Sequence, residues 1–88
     1  MSKVQQGLIG LGVLGPGQQT TWTTNVAPGG VWHFWVDNTT LSNSVSYVRV
    51  LAVSTKRQGN AQQAVITIWN PNYSYFAGFA LRWSMVYD

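Results

Sequence analysis

An 88-residue chain that is 45% hydrophobic and 14% aromatic can bury enough surface to fold, so the composition excludes a disordered polymer, and the length allows a single β domain, residues 1–88. Charged residues make up only 8% of the chain, against ~25% in an average soluble domain, and the polar remainder is mostly Ser, Thr, Asn and Gln. Net charge is +3 and cysteine is absent, which excludes a disulfide framework or a thiolate metal site and leaves aromatic packing or oligomerisation to stabilise so small a fold.

The first apolar run, near 4–14, carries Gly7, Gly10 and Gly12 and ends at Gly15-Pro16-Gly17. Its glycines do not match a phosphate-binding spacing and no helix follows, so they read as permitting a bulge or close sheet packing. The second run, near 18–26, sets Trp22 with Thr20 and Thr24 on one face and Thr21 and Thr23 on the other, and Ala27-Pro28-Gly29-Gly30 closes it. In the third, near 31–37, Trp32, Phe34 and Val36 alternate inward while His33 and Trp35 point outward. Asp37-Asn38-Thr39-Thr40 ends that run.

The fourth run, near 44–55, is apolar on both faces, with Val48, Val50 and Ala52 on one and Tyr47, Leu51 and Val53 on the other. Such a strand is expected to be central, covered on both sides, or part of an interface. Lys56 to Asn60 reads as the following loop and would hold the Lys56-Arg57 pair. In the fifth run, near 62–69, Ala64, Ile66 and Ile68 face the core and Val65, Thr67 and Trp69 face out, before Asn70-Pro71-Asn72. Residues 61–69 contain no charge, which suggests a strand open to pairing with another subunit. The last run, near 75–87, turns Phe79, Leu81, Trp83, Met85 and Tyr87 inward. Val, Ile, Thr, Trp and Tyr in short runs between turn signals predict an all-β fold: a small antiparallel β-sandwich or barrel of about six strands.

Catalysis is disfavoured. Asp37 and Asp88 are the only acids, and Asp88 ends the chain, so a paired-carboxylate site lacks its second member. His33 and Asp37 stand about 13 Å apart in an extended strand, beyond hydrogen-bond reach. One His, two Asp and no Cys fill neither a zinc nor a calcium shell, so neither metal nor cofactor is expected. A single-stranded nucleic-acid binder would use the aromatics with Lys3, Arg49, Lys56, Arg57 and Arg82, but five dispersed cations supply few phosphate contacts.

Neutral surfaces suit neutral ligands. A sugar offers hydroxyls to amides and a C–H face to aromatic rings, and Trp69-Asn70-Pro71-Asn72-Tyr73-Ser74-Tyr75 interleaves both groups in a loop. Trp35, Trp69, Asn70, Asn72, Tyr73 and Tyr75 are therefore the candidate ligand-binding residues, with His33 able to extend the site. Five Trp and a two-faced strand exceed what one small core hides, so a homo-oligomer is expected, which would also make weak sugar sites multivalent. The favoured reading is a self-associating, lectin-like neutral-glycan binder; the competing class is a self-assembling structural subunit with no small ligand. Asn38-Thr39-Thr40 and Asn72-Tyr73-Ser74 fit the glycosylation sequon, relevant only in a eukaryotic secretory setting. The apolar stretch from Leu8 to Leu14 is too short to span a bilayer or to read as a signal peptide.

Leu14-Gly15-Pro16-Gly17-Gln18, followed by Thr20, Thr21 and Trp22 and then Trp35-Val36-Asp37-Asn38, resembles part of the bacterial immunoglobulin-like adhesion-type modules. In those a Leu-x-Pro-Gly-Gln turn leads into two strands ending in a Val-Asp pair. Val65-Ile66-Thr67-Ile68-Trp69-Asn70 resembles their Val-x-Val-x-Asn strand, which in the family usually precedes the Pro-Gly-Gln turn and here follows it. The resemblance covers about a third of the chain. It implies a β-sandwich and an extracellular or cell-surface setting, and it carries over no binding residue.

Overall fold

The computed structural model describes residues 3–27, 29–40 and 46–87. Six strands account for most of them: β1 (Lys3–Leu14), β2 (Gln19–Asn25), β3 (Val31–Asn38), β4 (Arg49–Gln58), β5 (Ala61–Trp69) and β6 (Ala77–Tyr87). They form two three-stranded antiparallel sheets in the orders β1-β6-β3 and β2-β5-β4. The predicted small β-sandwich is thus the observed architecture. Pro28, Asp88 and the expected start of the fourth strand at residue 44 lie outside the described residues.

Four of the five connections cross between sheets, and only β4–β5 is a hairpin. Gln58 pairs with Ala61 around the two-residue turn Gly59-Asn60, and Gly59 has φ 61°. A positive φ at the first central position alone is the type II′ pattern, which glycine adopts without strain and which matches strand twist. So short a turn needs no further loop. Lys56 and Arg57 therefore sit on β4, paired with Gln63 and Gln62, rather than in the loop that the sequence suggests.

The alternation of the fifth and sixth runs builds the core. Ile66 and Ile68 from β5 meet Phe79 and Leu81 from β6, all at most 1% exposed, and Leu14, Val26, Phe34 and Ala64 complete the buried cluster. At ~1.5–3 kcal/mol for each large side chain fully buried, this set is the main stabilising term. The slab measures 43 × 30 × 16 Å, its thin dimension set by two sheets packed face to face.

Two expectations change. β5 is the centre of its sheet, so its lack of charge reflects burial and pairing on both edges rather than an open edge for another subunit. β4 is an edge strand, and its two-faced pattern has a local cause. A bulge between Val50 and Ala52 inserts one residue: Val50 pairs with Ile68, and Val53 pairs with Ile66. The inward row thus runs Val50, Val53, Thr55, and a strict period of two misassigns every residue after the bulge. A second bulge in β1, between Leu8 and Gly10, keeps Gly7, Gly10 and Gly12 opposite Trp83, Leu81 and Phe79. Both functions expected of these glycines, bulge and close packing, are present.

Candidate functional site

Inward parity on β5 continues past the strand end. Residues 64, 66 and 68 face the core, and so do Asn70 (0% exposed) and Asn72 (8%). Asn70 Nδ2 donates to the carbonyls of Leu14 (2.9 Å), Gly15 (3.0 Å) and Tyr75 (2.8 Å). Asn70 Oδ1 accepts from the Asn72 backbone N–H (2.8 Å) and from Asn72 Nδ2 (2.6 Å). Its backbone N–H donates to Gln18 O, and its carbonyl accepts from Gly17 N–H. Asn72 bonds both backbone polar groups of Tyr47, accepting from N–H at 3.1 Å and donating to O at 2.9 Å. The two amides thereby tie the β1–β2 turn, the β5–β6 loop and the approach to β4 into one end of the sandwich. Asn70 and Asn72, expected to face a ligand, are spent on the fold.

The other expected site residues part company. Trp35 stands on the outer face of the β1-β6-β3 sheet, while Trp69 stands on the outer face of the opposite sheet, paired with Gln19 and Arg49. His33 lies beside Trp35, ring centroids 5.6 Å apart at 24°. Tyr73 is fully exposed at the tip of the β5–β6 loop, with Tyr75 (48%) and Phe76 (67%) also in solvent. Tyr73 borders a shallow depression of about 220 Å³ with Pro16, Gly17 and Pro71. Of the six candidates, only Tyr73 and Tyr75 present exposed rings on one loop.

Sequence reading missed a larger feature, the outer face of the β1-β6-β3 sheet. Its cross-strand rows run Val4–Val86–Val31, Gln6–Ser84–His33, Leu8–Arg82–Trp35 and Leu11–Ala80–Asp37, with Val13 opposite Gly78. Leu11, Val13 and Val31 are 67%, 68% and 73% exposed. The opposite sheet shows water a different surface, with Thr21, Thr23, Thr67, Ser54 and Gln19 among its outward positions. Arg82 Nε donates to Asp37 Oδ2 at 2.6 Å, so the one ion pair among the described residues crosses the middle of the apolar face and cancels its own charge. A depression of about 280 Å³ lined by Gln6, Gly7, Trp35 and Arg82 indents it. The signal was available: Val4, Leu8, Leu11 and Val13 all fall outward once Ile9 is taken as the bulge.

No family model, curated protein or solved structure matches the chain.

Proposed function

We propose that the protein is a self-associating β-sandwich interaction module, joined to a second copy through the outer face of the β1-β6-β3 sheet. The observation that carries this reading is that Val4, Leu8, Leu11, Val13, Val31 and Val86 all stand exposed on one sheet face, in two clusters parted by the Gln6–Ser84–His33 row, more apolar surface than soluble monomers usually leave open on one side. A second copy fits it in charge and in size. Arg49, Lys56 and Arg57 belong to β4 of the other sheet, Arg82 is neutralised by Asp37, and Lys3, at the very start of β1, takes the parity opposite to Val4, so the faces meet with little net repulsion. Within a slab 43 by 30 Å, covering this face buries on the order of the ~800 Å² per partner of a standard interface. Two-fold packing brings every face residue into the contact twice.

Leu11→Lys is expected to yield a folded monomer where the unmodified chain sediments as a dimer or larger assembly. Leu11 is two-thirds exposed, so the fold tolerates the change, while the interface gains two unpaired charges and weakens by about 100-fold or more. A monodisperse unmodified monomer at high concentration would sink the reading.

Neutral-glycan binding at the Tyr73 loop is a second reading, supported by exposed Tyr73 and Tyr75 rings on one loop, with Tyr73 bordering the Pro16–Pro71 depression. Such rings stack on sugar C–H faces without needing charge, and assembly would multiply weak sites. On a glycan array, Tyr73→Ala is expected to abolish binding and, at a fully exposed position, to shift stability by less than about 0.5 kcal/mol. Silence of the unmodified chain toward every neutral glycan, with assembly intact, leaves only the interaction module.

A further inference from the structure

Beside β3 and β4 the two sheets leave a cleft of about 240 Å³ that opens at the side of the sandwich. Residue sizes explain it. The inward row of β5 steps down from Ile68 and Ile66 to Ala64, and across from Ala64 stand Trp32 and Phe34, their rings stacked 6.1 Å apart at 8°. Val53, an inward residue of β4, is nevertheless 46% exposed because it lines this gap. Trp32 Nε1 donates to Ala27 O at 3.1 Å, which holds the indole in place and spends its only donor. The indole, with Trp83 also 5.3 Å from it, therefore lines the cleft as an apolar group with no free donor.

One wall of the cleft carries polar groups. Thr55 and Gln62 line it, and Arg57 pairs with Gln62 across the β4–β5 ladder. Arg57 thus follows Thr55 on the same face of β4, about 7 Å farther along the strand. Asp37, the one carboxylate among the described residues, is engaged by Arg82 in the other sheet. Arg57 is exposed one step beyond the lining residues Thr55 and Gln62, and it makes no ion pair with an acidic side chain of the described residues.

We infer that this cleft binds a small aromatic carboxylate, its ring between the Trp32–Phe34 wall and Ala64, its carboxylate on Arg57. The Trp32–Phe34 wall selects a flat apolar body, a cation one step along β4 from Thr55 selects an anion, and a volume below the ~300–1,000 Å³ of drug-sized pockets limits the ligand to one or two rings. The site is separate from the proposed assembly face and from the Tyr73 loop.

Titrating the full chain with 2-naphthoate, followed by chemical shifts, is expected to give saturable binding centred on the Trp32 indole N–H, Ala64 and Thr55. Ala64→Leu fills the cleft and is expected to abolish binding; Val53→Phe, at a half-exposed position, blocks it from the other wall should the first variant fail to fold. Arg57→Gln is expected to weaken binding about tenfold. No saturation, shifts centred on Leu11 and Val13, or unchanged affinity in a folded Ala64→Leu or Val53→Phe variant would each overturn the site. Equal affinity for neutral 2-naphthalenemethanol, or an unaffected Arg57→Gln variant, would overturn the choice of an anion.

Discussion

Asn70→Ala is expected to destabilise the protein by about 3–5 kcal/mol, visible as a fall of more than ~12 °C in melting temperature for a domain of this size. The estimate rests on what the truncation orphans. Three carbonyls, of Leu14, Gly15 and Tyr75, share the two N–H donors of a side chain that is 0% exposed. Each buried group left without a partner costs about 1–3 kcal/mol, and water entering at the end of the sandwich recovers part of that. The Asn72 backbone N–H and amide lose their common acceptor as well. Against the ~5–15 kcal/mol that separates folded from unfolded states, the loss is severe. Asn70→Asp is expected to do no better, since a carboxylate faces the same three carbonyl oxygens and has no donor to give them. Asn72→Ala should cost less, because Asn72 retains some exposure and fewer backbone groups depend on it. A thermal melt within ~1 kcal/mol of the unmodified chain would refute this account of the Asn70 network.

That network also marks where sequence reading stopped. The order of six strands follows from the turn residues between them, though the β4–β5 turn lies at Gly59-Asn60 instead of spanning 56–60. The inward rows of β3, β5 and β6 follow from alternation, because a strand with one buried face writes its orientation into consecutive residues. The same parity extends to Asn70 and Asn72, two steps and four steps beyond Ile68. Locally, Asn70 and Asn72 look like loop amides open to a ligand, since their partners lie up to 56 residues away in sequence. Sheet order is equally non-local: nothing within residues 61–69 distinguishes a central strand from an uncharged edge, and pairing decided it. The bulges in β1 and β4 hide in another way. Each inserts one residue with no side-chain signature, and the alternation beyond it changes sign. The two-faced look of β4 is a fixed period carried across such a break, and in β1 the same kind of break hides the outward row Val4, Leu8, Leu11 and Val13.

Correcting that error relocates the argument for self-association. It rested on a strand open at its edge and now rests on a sheet face. An edge adds a strand by backbone hydrogen bonds and continues into fibres, whereas a face packs against a copy and closes as a two-fold dimer. The chain's shortage of charge acquires a geometric meaning on this view. β4, an outer strand of one sheet, carries three of the five cations, and the outer face of the other sheet carries a self-cancelling pair.

Gly10→Ala tests the packing that makes two thin sheets cohere. A Cβ built at Gly10 falls 2.2 Å from Cζ3 and 2.6 Å from Cη2 of Trp22, a ring that crosses from the opposite sheet. Trp22 cannot simply retreat, because its ring meets Phe79 edge-on at a centroid distance of 5.7 Å and 69°. Two effects oppose each other. Alanine in a strand interior gains ~0.5–1 kcal/mol over glycine by reducing the entropy of the unfolded chain. Forcing a methyl into an occupied position costs about 1–3 kcal/mol, and here the obstacle is a large ring rather than the flexible end of a side chain. Overpacking should win, with a net loss of about 1–2 kcal/mol and a fall of roughly 4–16 °C in melting temperature. The cause can be isolated in a double-mutant cycle. Trp22→Leu alone is destabilising, since it removes apolar area and the edge contact with Phe79, but in that background Gly10→Ala should become neutral or stabilising. The two changes would then be non-additive by at least ~1 kcal/mol. Strict additivity would mean that Gly10 is needed for the β1 bulge beside it rather than to admit the ring.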